Sequence, residues 1–111
     1  MNPRNSIAIV LVSSFLFGCA KPIPADKAGY VGTWNSPEVH LLITQDGKVE
    51  YEKHEGSVNT TINGPLQEFT GDNFSVGIAF LSTTFVVTKP PTEEGGKWSM
   101  VVDGVELTKT P

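Results

Sequence analysis

The chain has 111 residues, with eight basic and twelve acidic side chains and a formal net charge of −4 at neutral pH. This length allows one small domain, and an acidic chain without a basic cluster lacks the electrostatic footprint of a nucleic-acid-binding protein. The single cysteine excludes a disulfide within the chain.

The first eighteen residues have the layout of a secretory signal peptide. Arg4 supplies a positive charge, and an apolar run over residues 7–17 follows it, interrupted only by Ser13 and Ser14. As a helix this run would span about 16 Å, far short of the roughly 30 Å hydrocarbon core of a bilayer. We therefore predict a helical signal peptide over residues 1–18 that targets the chain and does not span the membrane.

The residues Leu16-Phe17-Gly18-Cys19 resemble the lipobox of bacterial lipoproteins. Leu16 stands at the third position before the cysteine and the small Gly18 directly precedes it, whereas Phe17 departs from the small or β-branched residue usual in that family. The resemblance implies cleavage between Gly18 and Cys19, attachment of diacylglycerol to the Cys19 thiol and, in many bacteria, acylation of the new amino terminus. Two or three acyl chains, at about 0.8 kcal/mol per buried CH2, hold a protein almost permanently in a membrane.

The alternative for Cys19 is a free or disulfide-linked thiol, but a lone cysteine in an exported chain has no internal partner. The next residue is Ala20, where the enterobacterial sorting rule looks for aspartate as an inner-membrane retention signal. The resemblance therefore implies a lipid-anchored protein of the bacterial cell envelope, and the missing aspartate favours the outer membrane, facing the periplasm.

Cleavage before Cys19 would leave 93 residues (111 − 18), with seven lysines, twelve acidic side chains and a formal charge of −5 (7 − 12). Residues 19–28 include Pro22 and Pro24, and their composition predicts an irregular tether. We expect the folded β domain to cover residues 29–111. Its short alternating runs, separated by Gly, Pro, Asn and Asp, are typical of an all-β sandwich or barrel.

Strands are predicted over Tyr30–Trp34 and Val39–Gln45, followed by a hairpin turn at Asp46-Gly47. In the next strand Val49 and Tyr51 lie on one face, and the other face is charged and should meet water. Further along, two weaker strands and a turn are predicted, because proline interrupts the hydrogen-bond ladder of a strand and glycine allows the backbone to bend. These segments are Val58–Ile62 and Leu66–Phe69, divided by Asn63-Gly64-Pro65, and the turn Gly71-Asp72-Asn73.

In the second half of the chain, four apolar residues share one face of a predicted strand: Phe74, Val76, Ile78 and Phe80. Thr84–Thr88 is another strand, and Asp103-Gly104 is a second hairpin turn. Between them, Lys89–Gly96 has the composition of an exposed loop at a hairpin tip. This loop is a possible interaction site, with candidate residues Pro90, Pro91, Thr92, Glu93 and Glu94.

Together these segments predict a small antiparallel meander of about seven to eight strands, forming a barrel or half-barrel. Its opening, Gly32-Thr33-Trp34, is similar to the Gly-x-Trp start of lipocalin-type barrels, in which the tryptophan closes one end. The alternative for Trp34 is an ordinary core aromatic. A barrel of this size has little free interior, and we expect several large side chains to fill it: Phe69, Phe74, Phe80, Phe85, Trp98 and Met100.

Polar residues give no catalytic or metal-binding pattern. His40 and His54 lie on different predicted strands, and no nucleophile or metalloprotease motif is present. We therefore predict a protein that is not an enzyme and carries no cofactor or metal. Two function classes stay open. The first is an interaction or structural module that binds an envelope protein partner, and the second is a lipocalin-like binder of a small apolar or envelope-derived ligand.

Overall fold

The computed structural model describes residues 21–110, and this part of the chain folds as one curled antiparallel β-sheet with a short 3-10 helix before it. The predicted signal peptide over residues 1–18 and the predicted lipidation site Cys19 lie outside the described residues. Within 21–110 the elements are the 3-10 helix η1 (Ala25–Tyr30) and the strands β1 (Gly32–Asn35), β2 (Val39–Ile43), β3 (Lys48–Glu55), β4 (Val58–Thr70), β5 (Asn73–Ile78), β6 (Leu81–Phe85), β7 (Val87–Glu94), β8 (Lys97–Val102) and β9 (Val105–Lys109).

The strand order is β6-β5-β4-β3-β2-β1-β9-β8-β7, which is a meander whose first and last strands pair with each other. This confirms the predicted all-β half-barrel. The strand count is nine rather than seven to eight, partly because one predicted strand divides at Val86 into the ends of β6 and β7. Those two strands form the opposite edges of the sheet, so a single residue carries the chain from one edge to the other.

Side-chain hydrogen bonds hold these two edges together beside Val86. The Val87 N–H donates to Asn73 Oδ1 on β5 at 2.8 Å, and the Val86 N–H donates to Asp103 Oδ1 at 2.9 Å. The Asp103 N–H in turn donates to the Val86 carbonyl oxygen at 2.8 Å. The two edges therefore meet at one corner, which gives the sheet its curled shape.

Both predicted Asp-Gly hairpin turns are confirmed. Gly47 ends the β2–β3 turn with φ 93°, and the β8–β9 turn holds Asp103 and Gly104 at φ 48° and 82°. A glycine or aspartate accepts such positive φ values at low cost. The alternation of β3 is confirmed as well, because Val49 and Tyr51 are buried while Lys48, Glu50, Glu52 and His54 are exposed.

The two weak strands predicted around Asn63-Gly64-Pro65 are one continuous strand, β4. Its first part pairs with β3 up to the Pro65–Lys48 position, and its second part pairs with β5 from Leu66 onward. A missing N–H is tolerated at Pro65 because the strand changes partner there. A register shift between Leu66 and Glu68 follows directly and bends the sheet.

The prediction of a loop over Lys89–Gly96 is also wrong. Val87–Glu94 forms β7, and the turn consists only of Gly95-Gly96. Pro90 and Pro91 lie between two paired positions, Lys89 and Thr92, at which the register with β8 shifts. Proline is compatible with an edge strand at a bulge, because no ladder hydrogen bond is required of it there.

The segment predicted as an irregular tether contains regular and packed residues. Ile23 is buried, its N–H donates to the Gln45 carbonyl oxygen at 2.9 Å, and its own carbonyl accepts from Gln45 Nε2 at 3.2 Å. Helix η1 then covers Ala25–Tyr30, so Tyr30 belongs to it and not to the first strand. Packing of the domain therefore begins before Gly29, and the long-range hydrogen bonds to Gln45 are the reason.

The core lies on the inner face of the curled sheet and is mostly aliphatic, with a group of packed aromatic residues. Phe74 stacks on Phe85 with ring centroids 5.1 Å apart, and Tyr51 lies 4.9 Å from Phe85. Of the residues expected to face inward, Trp34, Tyr51, Phe74 and Phe85 are confirmed as buried, whereas Trp98 is only partly buried. Leu107 is fully buried as well.

Phe80 was predicted to fill the interior but lies outside the core, and Ile78, predicted on the same strand face, is exposed too. Strand β5 ends at Ile78, and Ala79-Phe80 forms a two-residue turn in which Ala79 has φ 55°. The alternating pattern therefore stops two residues earlier than the sequence suggests. We call Ile78–Leu81 the apolar hairpin tip, and Phe80 within it is 89% exposed.

Candidate functional site

An open cleft lies where helix η1 packs beside β7 and β8. Its volume is about 290 Å3, and we call it the β7 cleft. Four separate parts of the chain form it, namely η1, the β4–β5 turn, the middle of β7 and the start of β8. The residues that line it are Asp26, Lys27, Gly29, Tyr30, Asp72, Pro90, Pro91 and Trp98.

Trp98 forms one wall of the β7 cleft, and its ring contacts the Lys109 ammonium group. The Lys109 Nζ lies 4.6 Å from the centre of the Trp98 ring and 5.0 Å from that of Trp34, and it donates to the Gly29 carbonyl oxygen at 3.1 Å. Burial lowers the pKa of Lys109. Cation–π contacts to two indoles fix the position of the Trp98 ring while one side of it stays accessible.

Gly29 is needed for the close approach of η1 to this wall. A β-carbon at Gly29 would lie 3.3 Å from the Trp98 ring and 3.4 Å from Pro91 Cβ. A larger side chain would therefore push the helix away from the tryptophan and change the shape of the cleft.

Tyr30 forms the floor of the cleft. It is 3% exposed, and its hydroxyl donates to the Asp72 carbonyl oxygen at 2.8 Å. Burial, together with the negative charge of Asp72, raises the pKa of Tyr30 to about 12. Its ring packs edge-on against Phe69 and Phe74, with centroids 4.9 and 6.1 Å away. The tyrosine thus stays neutral and rigid at physiological pH.

Lys27 is a fixed cation at the rim rather than a free one. Its Nζ donates to the Gly71 carbonyl oxygen at 2.8 Å and lies 5.3 Å from the Phe69 ring centre. The carboxyl groups of Asp26 and Asp72 belong to exposed residues on the same rim. The cleft therefore offers an aromatic and proline surface with two carboxylates and the Lys27 ammonium group at its rim, and this excess of negative charge suits an apolar group flanked by a positive charge.

The sequence-predicted interaction residues divide between two places. Pro90 and Pro91 line the β7 cleft, whereas Thr92, Glu93 and Glu94 continue along β7 toward its turn and do not line it. Trp98 was predicted in the core and Tyr30 in a strand, so the two aromatic residues of the cleft were not predicted as a site. The adjacent Gly95-Gly96 turn was the available signal that β7 and β8 form a hairpin and that Trp98 lies near the prolines.

The inner face of the half-barrel is filled by side chains. Trp34 is fully buried there, and its Nε1–H donates to the Tyr30 carbonyl oxygen at 3.0 Å. Phe74, Phe85 and Met100 fill the interior as predicted, Phe69 and Trp98 are partly buried, and Phe80 lies outside. The described cleft is therefore on the surface and not inside the sheet.

The two histidines lie apart, each beside an asparagine. His40 Nδ1 is 2.8 Å from Asn35 Oδ1, and His54 Nδ1 is 2.7 Å from Asn59 Oδ1. Between residues 21 and 110, no three His, Cys, Asp or Glu side chains are grouped as a metal site would require. Over the same residues, no helix has the length and apolar character to cross a bilayer.

Comparison with known protein families, with curated proteins and with solved structures gives no match. The function is therefore argued from the residues and the geometry of this chain.

Proposed function

We propose that this chain is a bacterial envelope lipoprotein, anchored through lipid on Cys19, whose β domain binds another envelope protein at the β7 cleft. The observation that carries the binding proposal is Trp98, an aromatic side chain left partly exposed beside Pro90 and Pro91, whereas most other large apolar side chains of residues 21–110 are buried. Partly exposed tryptophan is the residue type most often found at binding hot spots.

Rigidity of the cleft supports a binding role without catalysis. Trp98 and Tyr30 are both held by fixed neighbours, so little side-chain entropy would be lost when a partner docks. The exposed carboxylates Asp26 and Asp72 would select a partner segment that carries a basic residue next to its apolar anchor.

The anchor is tested by replacing Cys19 with serine in the full chain. The wild-type protein should partition with membranes and incorporate a fatty-acid probe, and the C19S variant should lose both properties. Membrane partition and probe labelling that persist in C19S would contradict the lipid anchor.

The binding site is tested by photo-crosslinking in cells, with a benzophenone amino acid at Pro90 or, as a matched exposed control, at Thr60 on β4. We expect a protein adduct of defined mass from position 90 only. The adduct should weaken in an Asp26→Asn, Asp72→Asn background and persist in Glu106→Gln, which removes an exposed carboxylate elsewhere. Equal crosslinking from both positions, or no dependence on Asp26 and Asp72, would contradict the proposal.

A lipocalin-like ligand binder is the second candidate, because the cleft volume of about 290 Å3 is close to the lower end of small-molecule sites, roughly 300 Å3. Native mass spectrometry of the purified lipidated chain distinguishes the two. A small molecule that co-purifies in stoichiometric amount and is lost in Trp98→Ala would favour the ligand reading over the protein partner.

A further inference from the structure

The apolar hairpin tip, Ile78–Leu81, has no cover from the rest of the described chain. Phe80 is 89% exposed, Leu81 72% and Ile78 56%, which makes this the most exposed group of large apolar side chains within residues 21–110. Contiguous apolar residues at the end of a hairpin are a feature of interaction sites rather than of ordinary surface.

The tip is held in a defined position by Gln67, the residue at the register shift of β4. Its Nε2 donates to the Ala79 carbonyl oxygen at 2.8 Å. Gln67 Oε1 also accepts from Ser75 Oγ at 3.4 Å. This hydrogen bond from Gln67 fixes the backbone of the turn, so the turn presents its apolar side chains in a defined position.

A short series of contacts connects this tip to the beginning of the described chain. Lys21 packs on Gly47, where an added β-carbon would lie 2.9 Å from the Lys21 carbonyl carbon. The Gly47 carbonyl oxygen accepts from the Leu66 N–H at 2.7 Å, and the next residue, Gln67, holds Ala79. Cys19 precedes Lys21 by two residues, a reach of about 7 Å at most. Lys21 and the tip therefore both lie beside the middle of β4, Lys21 next to the β3 edge and the tip next to the β5 edge.

Charge around the tip fits a lipid surface. Residues 73–88 contain no charged side chain, although the chain as a whole is acidic. At the neighbouring β2–β3 turn and the start of β3, the exposed Lys21 and Lys48 balance the exposed Asp46 and Glu50. This part of the domain can approach an anionic bilayer without the repulsion that the rest of the surface would meet.

We propose that the apolar hairpin tip inserts into the interfacial layer of the same membrane that holds Cys19, and so fixes the orientation of the domain on that membrane. This inference rests on the proposed lipid anchor. Phe80 and Leu81 enter the boundary between headgroups and acyl chains, while the anchor keeps the domain at the surface. Asp72, in the turn just before β5, and Ile78, at the end of β5, are separated by about 20 Å, so the β7 cleft stays clear of the inserted residues.

The test uses the full lipidated chain in vesicles of phosphatidylethanolamine and phosphatidylglycerol, with bimane attached to a cysteine at Phe80. The matched control carries the bimane at Glu106→Cys, an exposed position on β9 across the sheet. Lipids brominated on the acyl chain should reduce the emission of the F80C label roughly twofold, as expected for a group about 5–10 Å deep, and leave the E106C label unchanged.

Treating the wild-type chain with bimane tests the lipid anchor separately from the insertion of the apolar hairpin tip, because Cys19 is the one cysteine of the wild-type chain. Stoichiometric labelling of wild type would show a free Cys19 and overturn the anchor and the orientation together. An unlabelled wild type with an F80C label that bromolipids do not quench would overturn the inserted tip alone. A blue-shifted F80C label that bromolipids do not quench would also overturn it, in favour of a protein partner or a second copy covering the tip.

Discussion

Gly77 is the position where a single methyl group should do the most damage to the β5–β6 hairpin. Its φ is 140°, and it pairs directly with Ser82 on β6. A β-carbon there would lie 2.7 Å from the Ser82 α-carbon and closer still to the Leu81 carbonyl oxygen. Optimal separation of two carbon atoms is about 3.5 Å, so Gly77→Ala requires the backbone of β6 to move by roughly 0.8 Å.

Two contributions determine how much stability Gly77→Ala should lose. An alanine held at this φ costs about 1–3 kcal/mol, and forcing extra volume into a packed contact costs about 1–3 kcal/mol more. Gly77→Ala should therefore lower the free energy of unfolding by roughly 2–6 kcal/mol, a large fraction of the about 5–15 kcal/mol typical of a domain. Gly71 is the matched control, because its φ is 62° and an added β-carbon would meet nothing within 4 Å. Gly71→Ala should cost only about 1–2 kcal/mol.

Urea unfolding in detergent, followed by far-UV circular dichroism, measures both variants. A Gly77→Ala chain that unfolds at the same urea concentration as Gly71→Ala would refute the close approach of β5 and β6, and with it the fixed geometry of the apolar hairpin tip. A change in the slope of the transition for Gly77→Ala would instead indicate that the hairpin has detached from the remaining sheet.

Three further predictions concern the closure of the sheet and the floor of the cleft. Asn73→Ala leaves the N–H of the buried Val87 unpaired and should cost about 1–3 kcal/mol in chemical unfolding, whereas Asn59→Ala, which faces an exposed histidine, should stay within about 0.5 kcal/mol of wild type. Trp34→Phe removes the hydrogen bond to the Tyr30 carbonyl inside the core and should cost about 1–3 kcal/mol by the same measurement; full stability would show that the carbonyl has another partner. Because the pKa of Tyr30 is raised from 10.0 to about 12, its neutral form stabilises the fold below pH 10, and this stabilisation is lost as the pH rises from 10 through about 12. Absorbance at 295 nm should record tyrosine ionisation at higher pH in the folded than in the urea-unfolded chain. Tyr30→Phe should remove the latest part of that titration and leave the ionisation of Tyr51, whose pKa burial also raises.

The regular part of the fold could be predicted because it depends on local chemistry. Asp46-Gly47 and Asp103-Gly104 set their turns through their own backbone preferences, and the alternation around Tyr51 marks its inner face directly. These signals need no knowledge of distant residues, and they are sufficient for an antiparallel meander.

The errors fall where a distant partner decides the local structure. Pro65 and the Pro90-Pro91 pair indicate loops, but each lies in a strand at a point where no ladder hydrogen bond is required. Ala79 takes a positive φ without any turn residue to announce it, which left Phe80 assigned to the core. The β7 cleft could be predicted only at its prolines, because Tyr30, Asp72 and Trp98 come together through the fold.

The two prolines of β7 also limit how copies of this domain can associate. A sheet grows when a second strand pairs with the free N–H and C=O groups of an edge, and this is the usual route to fibres and domain-swapped chains. Pro90 and Pro91 both lack a backbone N–H, which leaves the middle of that edge poor in donors where its register is already irregular. On the proposed lipid anchor, copies of the chain would meet at high local concentration, and an edge that resists pairing would keep neighbouring copies separate. A protein that does dock beside β7 must then be recognised by its side chains, and this favours one specific partner over any exposed strand.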